Sequence, residues 1–270
     1  MAGSDMAAGR AWTGIGIVPD WPAPANVHSL FTTREGGASA APFDSFNLGD
    51  HVRDEPLAVQ ANRQALAARL GARPVFLQQV HGDGVVRLGA GTPDGMQADA
   101  CVATEAGIVC TIMVADCLPV LFTDVRGAVV AAAHAGWRGL AGTDGQGVLE
   151  ATVATLTEAG ARADELLAWL GPCIGPAQFE VGPEVRAAFV AAGAAAHAAF
   201  VPSAREGKFL ADLPVLARQR LRALGVTRLY GNDGTDPWCT VSQASRFFSH
   251  RRDAARLGST GRMAACIGLA

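Results

Sequence analysis

The sequence predicts a single α/β or α+β domain, and three observations carry that prediction. Half of the 270 residues are hydrophobic, ample for one large core. Short β-type runs alternate with stretches of helical spacing along the whole chain. No linker, low-complexity tract or exact internal repeat interrupts the alternation.

Met1 to Arg10 is small, acidic to neutral and without an apolar centre, so it reads as a tail and not as a signal peptide. Residues 1–26 are expected to be this tail and a lead-in segment, and 27–270 the domain. Phe31-Thr32-Thr33-Arg34 is strand-like and is broken by Glu35-Gly36-Gly37; Asn47-Leu48-Gly49-Asp50-His51 follows as a polar turn. An asparagine and an arginine beside such turns, Asn47 and Arg34, can point into a cleft. Asp54-Glu55-Pro56 predicts a helix start with a cap, an acidic first turn and a proline whose missing N–H is not needed there. Leu57, Ala61, Ala65 and Leu66 continue it at helical spacing and Gly71 stops it.

Val75 to Val80 and Gly84 to Leu88 read as strands joined by a His81-Gly82-Asp83 turn, which perches an imidazole at a strand end. Ile108 to Val114 is a further strand; a sheet shared with Val75 to Val80 would bring His81 toward Asp116-Cys117. Val120 to Phe122 and Ala128 to Ala133, with Thr123 to Gly127 as the turn, predict a hairpin that sets Cys117 beside His134. Gly147 to Glu158 has helical periodicity through Val148, Leu149, Thr152, Val153 and Leu156, ending at Gly160. Leu166 to Leu170 is a buried strand running into the loop Gly171 to Pro176, and a short helix starts at Pro183. Asp212 caps a helix carrying Leu213, Leu216, Leu221 and Leu224, with Gly225 as its stop; Val226 to Tyr230 and Met263 to Ile267 are the last strands.

The net charge of −3, with basic residues spread along the chain, argues against a nucleic-acid partner. No apolar run reaches the roughly 18 residues of a membrane span, and a cytosolic location is expected. The six cysteines form no CxxC pair or regular framework and read as reduced thiols. Cys101, Cys110 and Cys266 lie in small apolar runs, where thiols behave as hydrophobes, while Cys173 and Cys239 sit in Gly- or Pro-rich loops.

Cysteine beside histidine supports two common chemistries, a Cys/His nucleophilic pair or a metal held by sulfur and nitrogen. With His81 as a third partner, His81, Cys117 and His134 form a two-nitrogen, one-sulfur set suited to zinc with a fourth position open. The metal-free rival makes Cys117 a nucleophile activated by His134. After His134, the turn Ala135-Gly136-Trp137-Arg138-Gly139 offers backbone N–H groups to an anion, a guanidinium fork at Arg138 and a flat face for a base at Trp137. The plainer reading has Trp137 covering the core and Arg138 pairing with a carboxylate.

These residues carry a family resemblance. Phe31-Thr32-Thr33-Arg34-Glu35-Gly36-Gly37, Phe46-Asn47-Leu48-Gly49, Gln79-Val80-His81-Gly82 and Ala115-Asp116-Cys117-Leu118-Pro119-Val120 form its first half. His134-Ala135-Gly136-Trp137-Arg138-Gly139, Gly171-Pro172-Cys173-Ile174-Gly175-Pro176, Phe179-Glu180-Val181-Gly182 and Phe247-Phe248-Ser249-His250-Arg251-Arg252-Asp253 form the second. Together, in this order from about Val27 to the C-terminus, they resemble the laccase-domain family, whose members have been called polyphenol oxidases, purine nucleoside phosphorylases and peptidoglycan-editing factors. The resemblance implies a single-domain α-β-α sandwich of the α+β class with a mixed sheet, related to a group of cysteine hydrolases. It also implies a zinc site of His81, Cys117 and His134, and phosphorolysis of adenosine, inosine and methylthioadenosine with adenosine deamination as a second activity.

Two departures stand out. Arg53 occupies a position where the family usually has glycine, and the loops Gly142 to Gln146 and Ala254 to Ser259 are longer than usual.

Chemistry arbitrates between the family's names. A multicopper laccase needs many histidines, commonly in HxH pairs, and this chain has six with none so paired, so copper is the weaker reading beside zinc. Zinc suits activation of water for attack at C6 of adenine, with Asp116 or Glu180 moving protons. Phosphorolysis needs a phosphate clamp, for which Arg138, Arg53, Arg34 and Arg251 are candidates. The expectation is a zinc-dependent purine nucleoside phosphorylase with deaminase activity, taking nucleosides and phosphate, as monomer or homodimer. A cysteine hydrolase or amidase acting on peptidoglycan precursors, a copper-dependent polyphenol oxidase and a nucleotide-sensing module without turnover are the alternatives.

Overall fold

A computed structural model describes residue 12 and residues 16–270, so the tail expected over Met1 to Arg10 lies outside the described residues. The first half contains β1 (Gly16–Ile17), β2 (Val27–Thr32), α1 (Pro56–Leu70), β3 (Arg73–Phe76), β4 (Val85–Leu88), β5 (Ala100–Ala103), β6 (Ile108–Val114), β7 (Leu118–Asp124), β8 (Val130–Ala135) and the one-turn α2 (Trp137–Ala141). The second contains α3 (Val148–Glu158), β9 (Leu166–Leu170), β10 (Glu180–Val181), α4 (Pro183–Ala192), β11 (Phe200–Pro202), β12 (Phe209–Ala211), α5 (Leu213–Ala223), β13 (Arg228–Gly231), α6 (His250–Leu257) and β14 (Met263–Leu269).

The strands form a five-stranded sheet in the order β1-β2-β14-β6-β3, a six-stranded sheet in the order β13-β9-β7-β8-β5-β4, and a small sheet β10-β12-β11. Both large sheets mix parallel and antiparallel pairs: β3 runs parallel to β6 and β14 antiparallel to it, while β13 runs parallel to β9 and β7 antiparallel to it. Side chains alternate between faces along a strand, and the core follows that alternation. Cys110, Ile112 and Val114 of β6 meet Leu121, Val130, Ala132 and Trp169 between the two large sheets. The opposite face of the six-stranded sheet, with Val120, Phe122, Ala131 and Ala133, packs under α3, α4 and α5. The opposite face of the five-stranded sheet, with Leu30, Val109, Met113 and Cys266, packs on Leu66 and Leu70 of α1. The middle layer of the expected sandwich is thus two sheets thick, with helices outside each.

Many of the predicted elements recur. Val148, Leu149, Thr152, Val153 and Leu156 are buried in α3, with Glu150 beside them, β9 occupies the predicted Leu166–Leu170, and the Asp212 side chain accepts the Val215 N–H at 2.9 Å to cap α5. Three expectations are corrected. Val75 to Val80 and Gly84 to Leu88 are not neighbours across a turn: β3 ends at Phe76 in the five-stranded sheet, and β4 belongs to the six-stranded one. Asp54 does not cap α1; Glu55 is the N-cap without a side-chain bond, while Asp54 binds the Glu55 N–H and the Asn47 amide. That helix also buries Val59, Asn62, Leu66 and Leu70 and leaves Leu57 exposed. Finally, the long loop expected at Ala254 to Ser259 is mostly α6, capped by the Ser249 hydroxyl, which accepts the Arg252 N–H at 3.1 Å. Its buried residue is a carboxylate, Asp253, so no apolar periodicity announces it.

Candidate metal centre

Two connections carry the chain from the five-stranded to the six-stranded sheet at the same end of the molecule. One is the segment 77–84 between β3 and β4; the other is Ala115-Asp116-Cys117 between β6 and β7. Each contains a residue in the left-handed region, His81 at φ 62° and Asp116 at φ 87°, where a side chain with a β-carbon is strained unless its surroundings impose it. Asp99, immediately before β5 and fully buried, imposes the first. Its Oδ1 accepts the His81 N–H at 2.9 Å and its Oδ2 accepts those of Val80 at 3.1 Å and Gly82 at 2.7 Å. The Gln79 side-chain amide fastens the same segment to β6 through the backbone N–H and carbonyl of Met113, both at 2.8 Å. At the second connection, Asp116 accepts the Thr240 hydroxyl and the Arg251 N–H, both at 2.6 Å.

The predicted hairpin is present. β7 pairs antiparallel with β8, placing Leu118 opposite Ala135 and Pro119 opposite His134, so Cys117 and His134 meet at one end of it. His81 arrives from the other connection, its Nε2 3.8 Å from Cys117 Sγ and its ring 4.8 Å from that of His134, edge to face. One ligand atom each from His81, Cys117 and His134 lie within 4.8 Å of one another, and the three could hold a metal ion. His134 is buried and its Nδ1 lies 2.7 Å from Asp99 Oδ1, which leaves Nε2 for Cys117 or a metal. A carboxylate behind a ligating histidine is the usual outer partner that fixes tautomer and ring orientation. Gly136 completes the cradle: a β-carbon there would stand 2.9 Å from His81 Cδ2 and 3.1 Å from Cys117 Sγ.

The electrostatics suit a thiolate. Burial opposes ionisation of Cys117, but the neighbouring charge and hydrogen bonds of His134 and His81 outweigh it and bring the thiol down to about 6. Burial likewise opposes the charged form of His134, yet Cys117 and Asp99 raise it to about 9. Asp99, penalised by burial, is held below its usual range chiefly by the hydrogen bond and charge of His134. The other cysteines are buried and reduced, as expected, and burial raises the thiols of Cys110, Cys173 and Cys266.

The three side chains sit in a cleft of about 680 Å³ whose walls include Asp116, Trp137, Phe179, Arg251, Arg262 and, toward α1, Phe76 and Arg63. Of the arginines expected to serve the site, Arg251 lines the cleft, its Nη1 donating to the carbonyls of Glu180 at 3.1 Å and Gln178 at 3.4 Å. Arg34, Arg53 and Arg138 do not line it. Arg34 is tied to Asp44 at 3.1 Å and to the Ala244 carbonyl at 3.0 Å; Arg53 donates to the Gly258 carbonyl at 3.0 Å; Arg138 is exposed and stacks over Trp137 at 4.4 Å. Arg53 has φ 70°, the backbone region that favours glycine, which accounts for the glycine expected there. Glu180 faces Ser203 and Arg205, and buried Asn47 bridges the turn at Gly49 to the backbone N–H of Arg262; neither lines the cleft.

Sequence reasoning missed Asp99 and Arg262. Asp99 is a lone carboxylate inside the apolar run Ala98 to Ala103, a signal of a paired buried charge. Arg262 precedes a predicted strand and carries no local pattern.

Comparison with known proteins fits this geometry. The model of the family described as multi-copper polyphenol oxidoreductase laccase matches residues 28–270. The chain belongs to this laccase-domain family. It is 55% identical to a purine nucleoside phosphorylase of Pseudomonas aeruginosa, over 96% of this chain and 99% of that protein. It is 48% identical to the purine nucleoside phosphorylase YfiH of Escherichia coli, over 94% and 98%. A crystal structure from Neisseria meningitidis matches with TM-score 0.82 and 46% identity over 94% of this chain and 98% of that one. The crystal structure of the Bacillus licheniformis hypothetical protein YfiH matches with TM-score 0.82 and 31% identity over 90% and 93%. The family description speaks of several coppers; among the described residues of this member one group of donors, His81, Cys117 and His134, has metal-binding spacing. No helix among them is long and apolar enough to cross a membrane.

Proposed function

We propose that the protein is a zinc-dependent purine nucleoside phosphorylase that also deaminates adenosine, acting in the cytosol on small-molecule nucleosides and phosphate. The observation that carries the reading is the convergence of His81, Cys117 and His134 on one point of a cleft large enough for a nucleoside. Relatives at 55% and 48% identity that bear the phosphorylase name support it. The donor set, with the second His134 nitrogen on the Cys117 side and the space left by Gly136, fits zinc. When bound, zinc would supply a Lewis acid in the cleft.

In phosphorolysis a phosphate oxygen forms a bond to C1′ of the sugar as the bond from C1′ to the purine nitrogen breaks. The bonding pair leaves with the base, which takes up a proton, and the products are free purine and sugar 1-phosphate. In deamination water adds at C6 and ammonia leaves. Trp137 and Phe179 offer apolar faces to hold the base. Both carboxylate oxygens of Asp116 are engaged by Thr240 and Arg251, so Asp116 serves in this reading by fixing the bend that presents Cys117.

Replacing Cys117 with Ala is the test. Stoichiometric zinc and the conversion of adenosine plus phosphate to adenine should both be lost; turnover retained in the metal-free variant sinks the mechanism. A second reading has its own observation. Cys117, His134 and Asp99 line up as nucleophile, base and orienting carboxylate, the arrangement of a cysteine hydrolase. It predicts full activity on an amide substrate after chelation, where the zinc reading predicts none.

A further inference from the structure

We propose that Arg262 is the residue that holds the phosphate substrate, an inference that deepens the phosphorylase reading and rests on it. The register of β14 against β6 puts Met263 opposite Val114, so Arg262 stands at the same end of the sheets as Ala115-Asp116-Cys117. It lines the cleft, and its charge is felt at both Cys117 and Asp116.

Its backbone and stem are fixed. Asn47 Oδ1 accepts the Arg262 N–H at 2.8 Å, and any β-carbon at position 49 would meet Arg262 Cγ at 2.8 Å, so the stem lies directly on Gly49. Nη1 donates to the carbonyls of Thr260 at 3.0 Å and Gly261 at 3.2 Å. A guanidinium has five N–H donors, and Nε and Nη2 have no protein acceptor among the described residues. No fully buried side-chain nitrogen or oxygen lacks a partner there, so those two donors are accessible, on a residue that lines the cleft.

Arg262 also forms no ion pair with a carboxylate among the described residues, because Asp116, the acid beside it, is already occupied. The other arginines of the cleft differ from it. Arg63 is bonded to the Leu48 carbonyl at 2.9 Å and paired with Asp50 at 3.2 Å, and Arg251, which likewise spends only Nη1 on two carbonyls, is exposed at the rim where Arg262 is half-buried. A half-buried guanidinium with a fixed stem, a free fork and no acid partner matches the planar, bidentate geometry of a phosphate oxyanion.

The experiment compares zinc-loaded wild type with Arg262→Gln and Arg262→Lys. Initial rates are measured against inorganic phosphate and, separately, against adenosine, beside calorimetric titration with inorganic phosphate alone. Loss of a charge-assisted pair should raise KM for phosphate about 10-fold or more in the Gln variant, with KM for adenosine nearly unchanged. The Lys variant, with a point charge and no fork, should fall between, and it carries the test if the Gln variant does not fold. An unchanged KM for phosphate in both variants overturns the assignment. Should wild type show no phosphate-dependent turnover, the phosphorylase reading fails. Titration then decides the clamp by itself: binding lost on substitution upholds it, while equal binding, or none in wild type, overturns it.

Discussion

The two halves of the metal centre are built in different ways. Cys117 and His134 are placed by the pairing of β7 with β8, a continuous ladder of backbone bonds buried on both faces. His81 stands on an exposed connection whose position depends chiefly on one buried carboxylate, since Asp99 binds the N–H groups of Val80, His81 and Gly82 and also His134. One half is held by secondary structure and the other by side chains, Gln79 bonded to β6 and above all Asp99, so the halves should fail separately.

The largest effect is expected from Asp99→Ala. It leaves three backbone N–H groups and a buried imidazole without their acceptor, a loss of about 3–5 kcal/mol of stability. Zinc affinity should drop about 10–100-fold or further, read by denaturant melts and competition with a chromophoric chelator. Next comes Gly136→Ala. Its φ of −64° suits alanine, so the fold should persist, but the methyl group presses on His81 and Cys117. Zinc binding should weaken with thermal stability of the metal-free protein changed by less than about 1 kcal/mol; undiminished affinity would show that the cradle is looser than the distances imply.

The smallest effect sharpens the comparison through pH. In metal-free protein, iodoacetamide should alkylate Cys117 with a rate that rises with pH to half its maximum near pH 6. Asp99→Asn removes the charge that keeps His134 protonated, which in turn favours the Cys117 thiolate. The midpoint should therefore move upward by a fraction of a unit to about 1 unit. Mass spectrometry of the labelled peptide reads both, and a midpoint near that of a free thiol in wild type would contradict the pairing.

Where local pattern dominates, the sequence was legible. The repeat of α3 and the Asp212 cap of α5 involve neighbours along the chain, and the β7–β8 hairpin needs only a turn between two apolar runs. The sheet shared by Val75 to Val80 and Ile108 to Val114, on which the meeting of His81 with Cys117 is conditional, is present as the parallel pair β3–β6. Reading failed where a polar group replaces an apolar one as the buried contact. The helix α6 buries Asp253, and α1 turns Asn62 inward to bind Ala38 N–H and the Asn47 carbonyl, both at 2.8 Å. Hydrophobic spacing is silent about such faces.

Sequence by itself determined the family, the mixed α/β class and the trio of histidine, cysteine and histidine, because each rests on residue identity or on contacts between near neighbours. Tertiary structure alone decided that the strands form two stacked sheets, that Asp99 stands behind two of the three donors, and which arginines reach the cleft. The reason is that a guanidinium or carboxylate can find a partner anywhere within reach of its folded position. Arg34 and Arg53 found carbonyls elsewhere, and Arg262 arrived at the site through the register of a strand more than a hundred residues from Cys117 in the chain.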